Sequence, residues 1–101
     1  MTEKITVHID PDLEDLIPGF LSNRQRDVDT IRALIDDDIE RVRILGHSMK
    51  GAGGGYGFDE ITELGAKIEQ AAQAGDKPTI LAATDALEDY LHRVDPVFDG
   101  Q

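Results

Sequence analysis

The sequence predicts an all-α protein, an up-and-down antiparallel helical bundle preceded by a short extended N-terminal arm, and three observations lead there. Apolar residues recur at helical spacing along most of the chain, Pro and Gly fall between those stretches, and only one short segment alternates with a period of two. With 101 residues there is room for one domain and one core, and with three Phe, two Tyr and no Trp that core is left to Ile, Leu, Val and Ala. No internal repeat or dividing linker is apparent, so the expected division is an arm over about residues 1–10, a bundle over about 11–95 and a loose tail over 96–101.

The arm rests on Ile5, Val7 and Ile9 alternating with Thr6 and His8. One short strand without a partner makes no sheet, so an extended arm is expected. Asp10 followed by Pro11, with Asp12 and Glu14 behind them, reads as a capped helix start. Leu13, Leu16, Ile17, Phe20, Leu21, Val28, Ile31, Leu34 and Ile35 then form one stripe, interrupted by the polar stretch from Ser22 to Asp27. Residues 11–36 could therefore be one helix or two, with a kink or break near residues 17–19, where Pro18 cannot donate to the carbonyl of Glu14.

Asp37 with Glu40 three residues on has the capping-box arrangement, so the next helix should begin near Asp38 and run to the glycines. From Gly51 to Gly57 five of seven residues are glycine, a composition that frays or ends a helix. Asp59 can cap a further helix bearing Ile61, Leu64, Ile68, Ala71 and Ala72 and ending at Gly75. After Pro78 the last helix buries Ile80, Ala83, Leu87, Tyr90, Leu91 and Val94, and Pro96 marks its end.

Composition excludes several functions. A formal charge of −11 repels nucleic acid and anionic lipid, both of which are bound by Lys and Arg neutralising phosphates. Without cysteine there is no disulfide, thiolate catalysis or Cys-based zinc site, and the N-terminal MTEKITVHIDPD lacks the apolar stretch of a signal peptide. A cytoplasmic monomer is expected. The glycine run is not a nucleotide loop, because GxGxxG needs a preceding strand and a Walker loop places its lysine after the glycines, whereas Lys50 precedes them. Asp36, Asp37 and Asp38 lack the alternating ligands and closing Glu of a calcium loop and read as cap and turn.

Chemistry concentrates at His47. At about 100° per residue, Ile39, Val42, Leu45, Gly46, Met49, Ala52 and Gly53 share the core side of their helix, and His47 falls opposite. Arg43 lies one turn before it; Lys50 and Gly51 follow by three and four residues. Glycine at 51 and 54 costs a helix about 1 kcal/mol each relative to Ala, and a reason to keep both is close approach by another surface or a phosphate. Arg43, Ile44 and Gly54 are the positions a docking partner would meet. Imidazole suits reversible phosphoryl carriage because a neutral nitrogen is available near pH 7, and transfer depends on positioning and electrostatic stabilisation of the phosphoryl oxygens. His8 and His92 have no such surroundings and read as solvated.

The run His47-Ser48-Met49-Lys50-Gly51, followed by Gly57, Ile61, Leu64, Gly65, Ile68 and Glu69, resembles the histidine phosphotransfer (HPt) domains of bacterial phosphorelays over about residues 20–75. The resemblance implies a four-helix bundle with His47 phosphorylated, Lys50 as the cation beside the phosphoryl group and Gly51 as the small position admitting a partner. It implies receiver domains of hybrid sensor kinases or response regulators as partners, with Mg²⁺ bound by the receiver and no cofactor here. No kinase or nucleotide-binding activity is implied. Met49 stands where leucine is common in the family. Glu69 reads as a surface charge or the partner of a nearby lysine, without assigned chemistry. The alternative is an acidic helical adaptor that binds a partner without phosphotransfer.

Overall fold

The computed structural model describes residues 3–98. The chain forms strand β1 (Ile5–His8), a 3-10 helix (Pro11–Leu16), α1 (Ile17–Leu34), α2 (Ile39–Gly53), a 3-10 turn (Gly54–Tyr56), α3 (Asp59–Ala74), α4 (Lys77–Arg93) and strand β2 (Val94–Val97). The four α-helices make the expected bundle, with α2 packed on α3, α3 on α4, and α1 against both α4 and α2.

The choice between one and two helices over residues 11–36 resolves into a 3-10 helix followed by one α-helix. Asp10 caps the first, accepting from the Asp12 amide at 2.9 Å, and Pro18 occupies the first turn of α1, where its missing N–H costs nothing. The three-residue turn of the 3-10 segment takes Leu16 off the apolar stripe, and it is 54% exposed rather than in the core. The polar stretch from Ser22 to Asp27 remains helical because its side chains find partners. Arg24 bonds Asp27 at 2.8 Å, and Gln25 reaches Glu88 on α4 at 3.1 Å.

Two capping expectations are corrected. Asp38, not Asp37, caps α2, accepting from the Arg41 amide at 3.2 Å, and the carboxylate of Glu40 is taken by Arg43 instead of closing a capping box. Asp59 is the first residue of α3 rather than its cap; Phe58 occupies the cap position, fully buried and stacked on Phe20 with ring centroids 5.5 Å apart. The glycine run does not end α2 at once. The helix continues through Gly53, and the chain turns only at Gly57, whose φ of 92° favours a residue without Cβ.

The arm is extended as expected, but it is paired, and the tail is corrected with it. Pro96 in a continued α4 would clash with the carbonyl of His92, so the chain leaves the helix at Val94 in extended geometry. Val94–Val97 then pairs in parallel with β1, Ile5 against Val94 and His8 against Val97, and the Ile9 amide donates to the Val97 carbonyl at 2.8 Å. Residues expected to be an unpaired arm and a loose tail thus form a two-stranded sheet, with Ile5, Val7, Val94 and Phe98 packed on the core and Ile9 inside it. The remainder of the expected tail, residues 99–101, lies outside the described residues.

The core comprises Val28, Ile31, Val42, Met49, Phe58, Ile61, Ile68, Ile80 and Leu87, all without measurable exposure. Between α2 and α3 the contact is backbone against backbone. A Cβ on Gly46 would lie 2.7 Å from the Glu69 nitrogen, one on Gly65 2.6 Å from the Lys50 nitrogen, and one on Gly53 2.6 Å from the Thr62 nitrogen. Thr62 adds a stitch, accepting from the Gly54 amide at 2.7 Å and donating to the Lys50 carbonyl at 3.1 Å. Gly51 faces open space. Gly65→Ala is therefore expected to lower unfolding free energy by roughly 1–3 kcal/mol through overpacking, and Gly51→Ala to raise it by about 0.5–1 kcal/mol through helix propensity. Urea titrations of the two variants beside the wild type check the opposite signs.

Candidate functional site

Helix α2 runs past α3 with Gly46 inward, so the next residue, His47, points away from the core. Its side chain is 66% exposed. Gly65 of α3 nests at the level of Gly46 and Lys50, and Glu69, one turn later on the same face of α3, is brought to the edge of the His47 surface. Glu69 is 8% exposed, and its carboxylate bridges two side chains of α2: Oε2 lies 2.9 Å from His47 Nδ1 and Oε1 2.9 Å from Lys50 Nζ.

The hydrogen bond to Lys50 holds the Glu69 carboxyl below its ordinary value of 4.5, against the opposing effect of burial, and the bond to His47 adds to this. An ionised carboxylate only accepts, so in the neutral imidazole the proton belongs on Nδ1. Nε2 keeps its lone pair on the exposed side of the ring. The site is an outward nucleophilic nitrogen fixed by a carboxylate from a neighbouring helix, with an ammonium one helical turn away.

A family model described as the Hpt domain matches residues 15–96. The chain belongs to the Hpt domain family. No curated protein and no solved structure matches it. The helical bundle agrees with that membership, and the family's role is histidine phosphotransfer in phosphorelays. No helix among the described residues is long and apolar enough to cross a membrane.

In this Hpt domain the sequence-predicted residues are partly gathered. His47 and Lys50 meet at Glu69, Gly51 is open beside them, and Ile44 is 51% exposed. Gly54 belongs to the 3-10 turn, its amide held by Thr62. Neither cation beside His47 is unpaired: Arg43 pairs with Glu40 through two bonds of 3.0 and 2.6 Å, and Lys50 is taken by Glu69. Glu69, which the sequence offered as a surface charge or the partner of a nearby lysine, is that partner for Lys50, and its second contact, with His47, is the one that the sequence did not assign. Its signal was the spacing Gly65-x-x-x-Glu69, because a glycine that packs α3 on α2 puts the residue one turn on against α2 as well. Asp36 pairs with Lys77 and Asp38 caps α2, while His8 and His92 sit on β1 and α4.

Two outcomes are expected. Nitrogen NMR at pH 8 should find His47 protonated at Nδ1 in the wild type and as a tautomer mixture in Glu69→Ala; an unchanged tautomer would contradict the carboxylate's role. Glu40, Glu69, Asp76 and Glu88 all have depressed values, so the stability they contribute is present above the ordinary range and lost as pH falls through the lowered values. Asp27, raised by burial, opposes them. Thermal melts should therefore hold steady down to the ordinary glutamate value of 4.5 and fall below it.

Proposed function

We propose that this Hpt domain is a phosphorelay intermediate in which His47 takes a phosphoryl group from the aspartyl phosphate of one receiver domain and passes it to another. The observation that carries this reading is the 2.9 Å contact between Glu69 and His47 Nδ1, which leaves Nε2 free on an exposed ring. In the forward step the Nε2 lone pair attacks phosphorus, the bond from phosphorus to the receiver's aspartyl oxygen breaks, and the aspartate leaves as a carboxylate. No proton moves. The imidazole becomes a phosphorylated imidazolium whose Nδ1–H remains on Glu69, and the carboxylate balances the charge that develops on the ring.

Lys50 stands where its ammonium can turn from Glu69 to the phosphoryl oxygens, using the rotatable stem of a half-exposed side chain. Mg²⁺ belongs to the receiver, whose acidic pocket it would neutralise, and the present chain supplies nucleophile and docking face. Ile44 and the open surface at Gly51 suit close approach by such a partner. The reading has the domain act as a monomer in the cytoplasm.

Incubation with a phosphorylated receiver should label the protein with acid-labile, base-stable phosphate attached at Nε2, and His47→Gln should abolish the label. Persistent labelling of that variant would sink the assignment. Lys50→Ala should slow transfer by about 10–100-fold, the range for loss of one stabilising donor, while changing stability by less than about 1 kcal/mol because Lys50 is itself 43% exposed and Glu69 keeps its bond to His47. Rapid-quench transfer rates and a urea titration measure the two quantities.

A further inference from the structure

On the other side of His47 from Glu69, a cleft of about 410 Å³ separates α1 from α2, with Phe20, Ala52 and Tyr56 as its apolar walls and Asn23, Arg24 and Ser48 as its polar ones. Ser48 is the residue after His47 and Ala52 the residue after Gly51, so the cleft opens beside the candidate nucleophile.

Arg24 is an unusual wall. It falls on the stripe formed by Ile17, Phe20, Val28 and Ile31, where an apolar side chain would close α1 onto α2, and its side chain is only 15% exposed. Desolvating a guanidinium there is costly unless it is paired. Its Nε donates to Asp27 at 2.8 Å, and its face lies over the Phe20 ring with 4.8 Å to the centroid, while Phe20 stacks on Tyr56 at 4.4 Å. The guanidinium is thereby fixed along one edge and one face. Among the described residues its terminal nitrogens meet no acceptor, and the Ser48 hydroxyl and Asn23 amide also have no hydrogen-bond partner. In a protein with 21 acidic residues against 10 basic ones, no carboxylate lines this cleft. An oriented guanidinium with free terminal nitrogens, apolar walls and a lining without carboxylates suit an acidic side chain flanked by apolar ones.

We propose that Arg24 anchors an acidic side chain of the docking receiver in this cleft, with Ser48 and Asn23 as further donors and the exposed Leu16 covering the apolar part of the same segment. The proposal rests on the phosphorelay reading, which makes a receiver the partner beside His47. Asp27 holds the guanidinium in position, and Tyr56 and Phe20 set its height above the cleft floor.

The test uses a receiver that labels the wild-type protein and compares the phospho-receiver concentration giving half-maximal transfer for wild type, Arg24→Gln and Ser48→Leu. Phosphoramidate serves as a small donor that needs no docking. Arg24→Gln should raise the half-saturating concentration about tenfold, the loss of one charge-assisted hydrogen bond, with the maximal rate and phosphoramidate labelling within about twofold of wild type. Added salt should raise the wild-type value and leave that of Arg24→Gln nearly unchanged. Ser48→Leu fills the mouth of the cleft from an exposed position, should raise the value similarly, and decides the matter alone if Arg24→Gln does not fold. Half-saturation unchanged in the folded variants, or an equal loss with phosphoramidate, overturns the proposal. Failure of the underlying reading looks different, because then no phospho-receiver labels wild-type His47, whatever phosphoramidate does.

Discussion

The arrangement depends on one constraint, the backbone contact between α2 and α3. At Gly46, Gly53 and Gly65 there is no room for even a methyl group, since any added Cβ would come within 2.7 Å of backbone atoms of the opposite helix. This approach fixes the register of the two helices as well as their distance. Because Gly65 sits at the level of Gly46 and Lys50, Glu69 arrives one turn later beside His47. A carboxylate on a short side chain spans such a gap only when the helices touch, and both of its contacts here are 2.9 Å. The glycines that cost helix propensity in α2 and α3 are thus what makes the site's distances possible.

The same contact organises charge. In a chain of net charge −11, the cations nearest His47 are already neutralised, Lys50 by Glu69 and Arg43 by Glu40. At rest the surface is an oriented imidazole rather than a positive patch. In the proposed cycle a phosphoryl group on Nε2 brings a second anion within reach of Lys50, while Glu69 stays engaged through the Nδ1 proton. One carboxylate can then serve the free and phosphorylated rings without gaining or losing a proton, which suits a carrier that must load and unload with little reorganisation.

Around this pair the remaining elements have structural tasks. The parallel strands tie the two ends of the chain together and put Ile9 in the core next to the turn at Gly57. Helix α1 is held to α4 by Arg32, which bonds Asp85 at 2.7 Å and Glu88 at 2.9 Å, and its contact with α2 is left open at Arg24. The bundle is therefore tightest where Glu69 reaches the imidazole and most open at the cleft beside Arg24.

By itself the sequence determined the helices, because an apolar stripe at a spacing of 3.6 residues has one way to be buried. It also determined that His47 faces outward, because helical phase is local and Gly46 and Met49 claim the inner side. Gly75 ended α3 as read, and Pro78 marks the first turn of α4, which begins one residue before it. Tertiary structure decided what depends on distant partners. Val94–Val97 became a strand only because Ile5–His8, some ninety residues earlier, lay alongside it, and no local pattern specifies such a pairing. Asp38 rather than Asp37 became the cap because α1 continues through Leu34 and fixes where α2 can begin. Glu69 became the partner of His47 because two glycine-bearing backbones meet, a contact between helices that appears in neither helix's own periodicity.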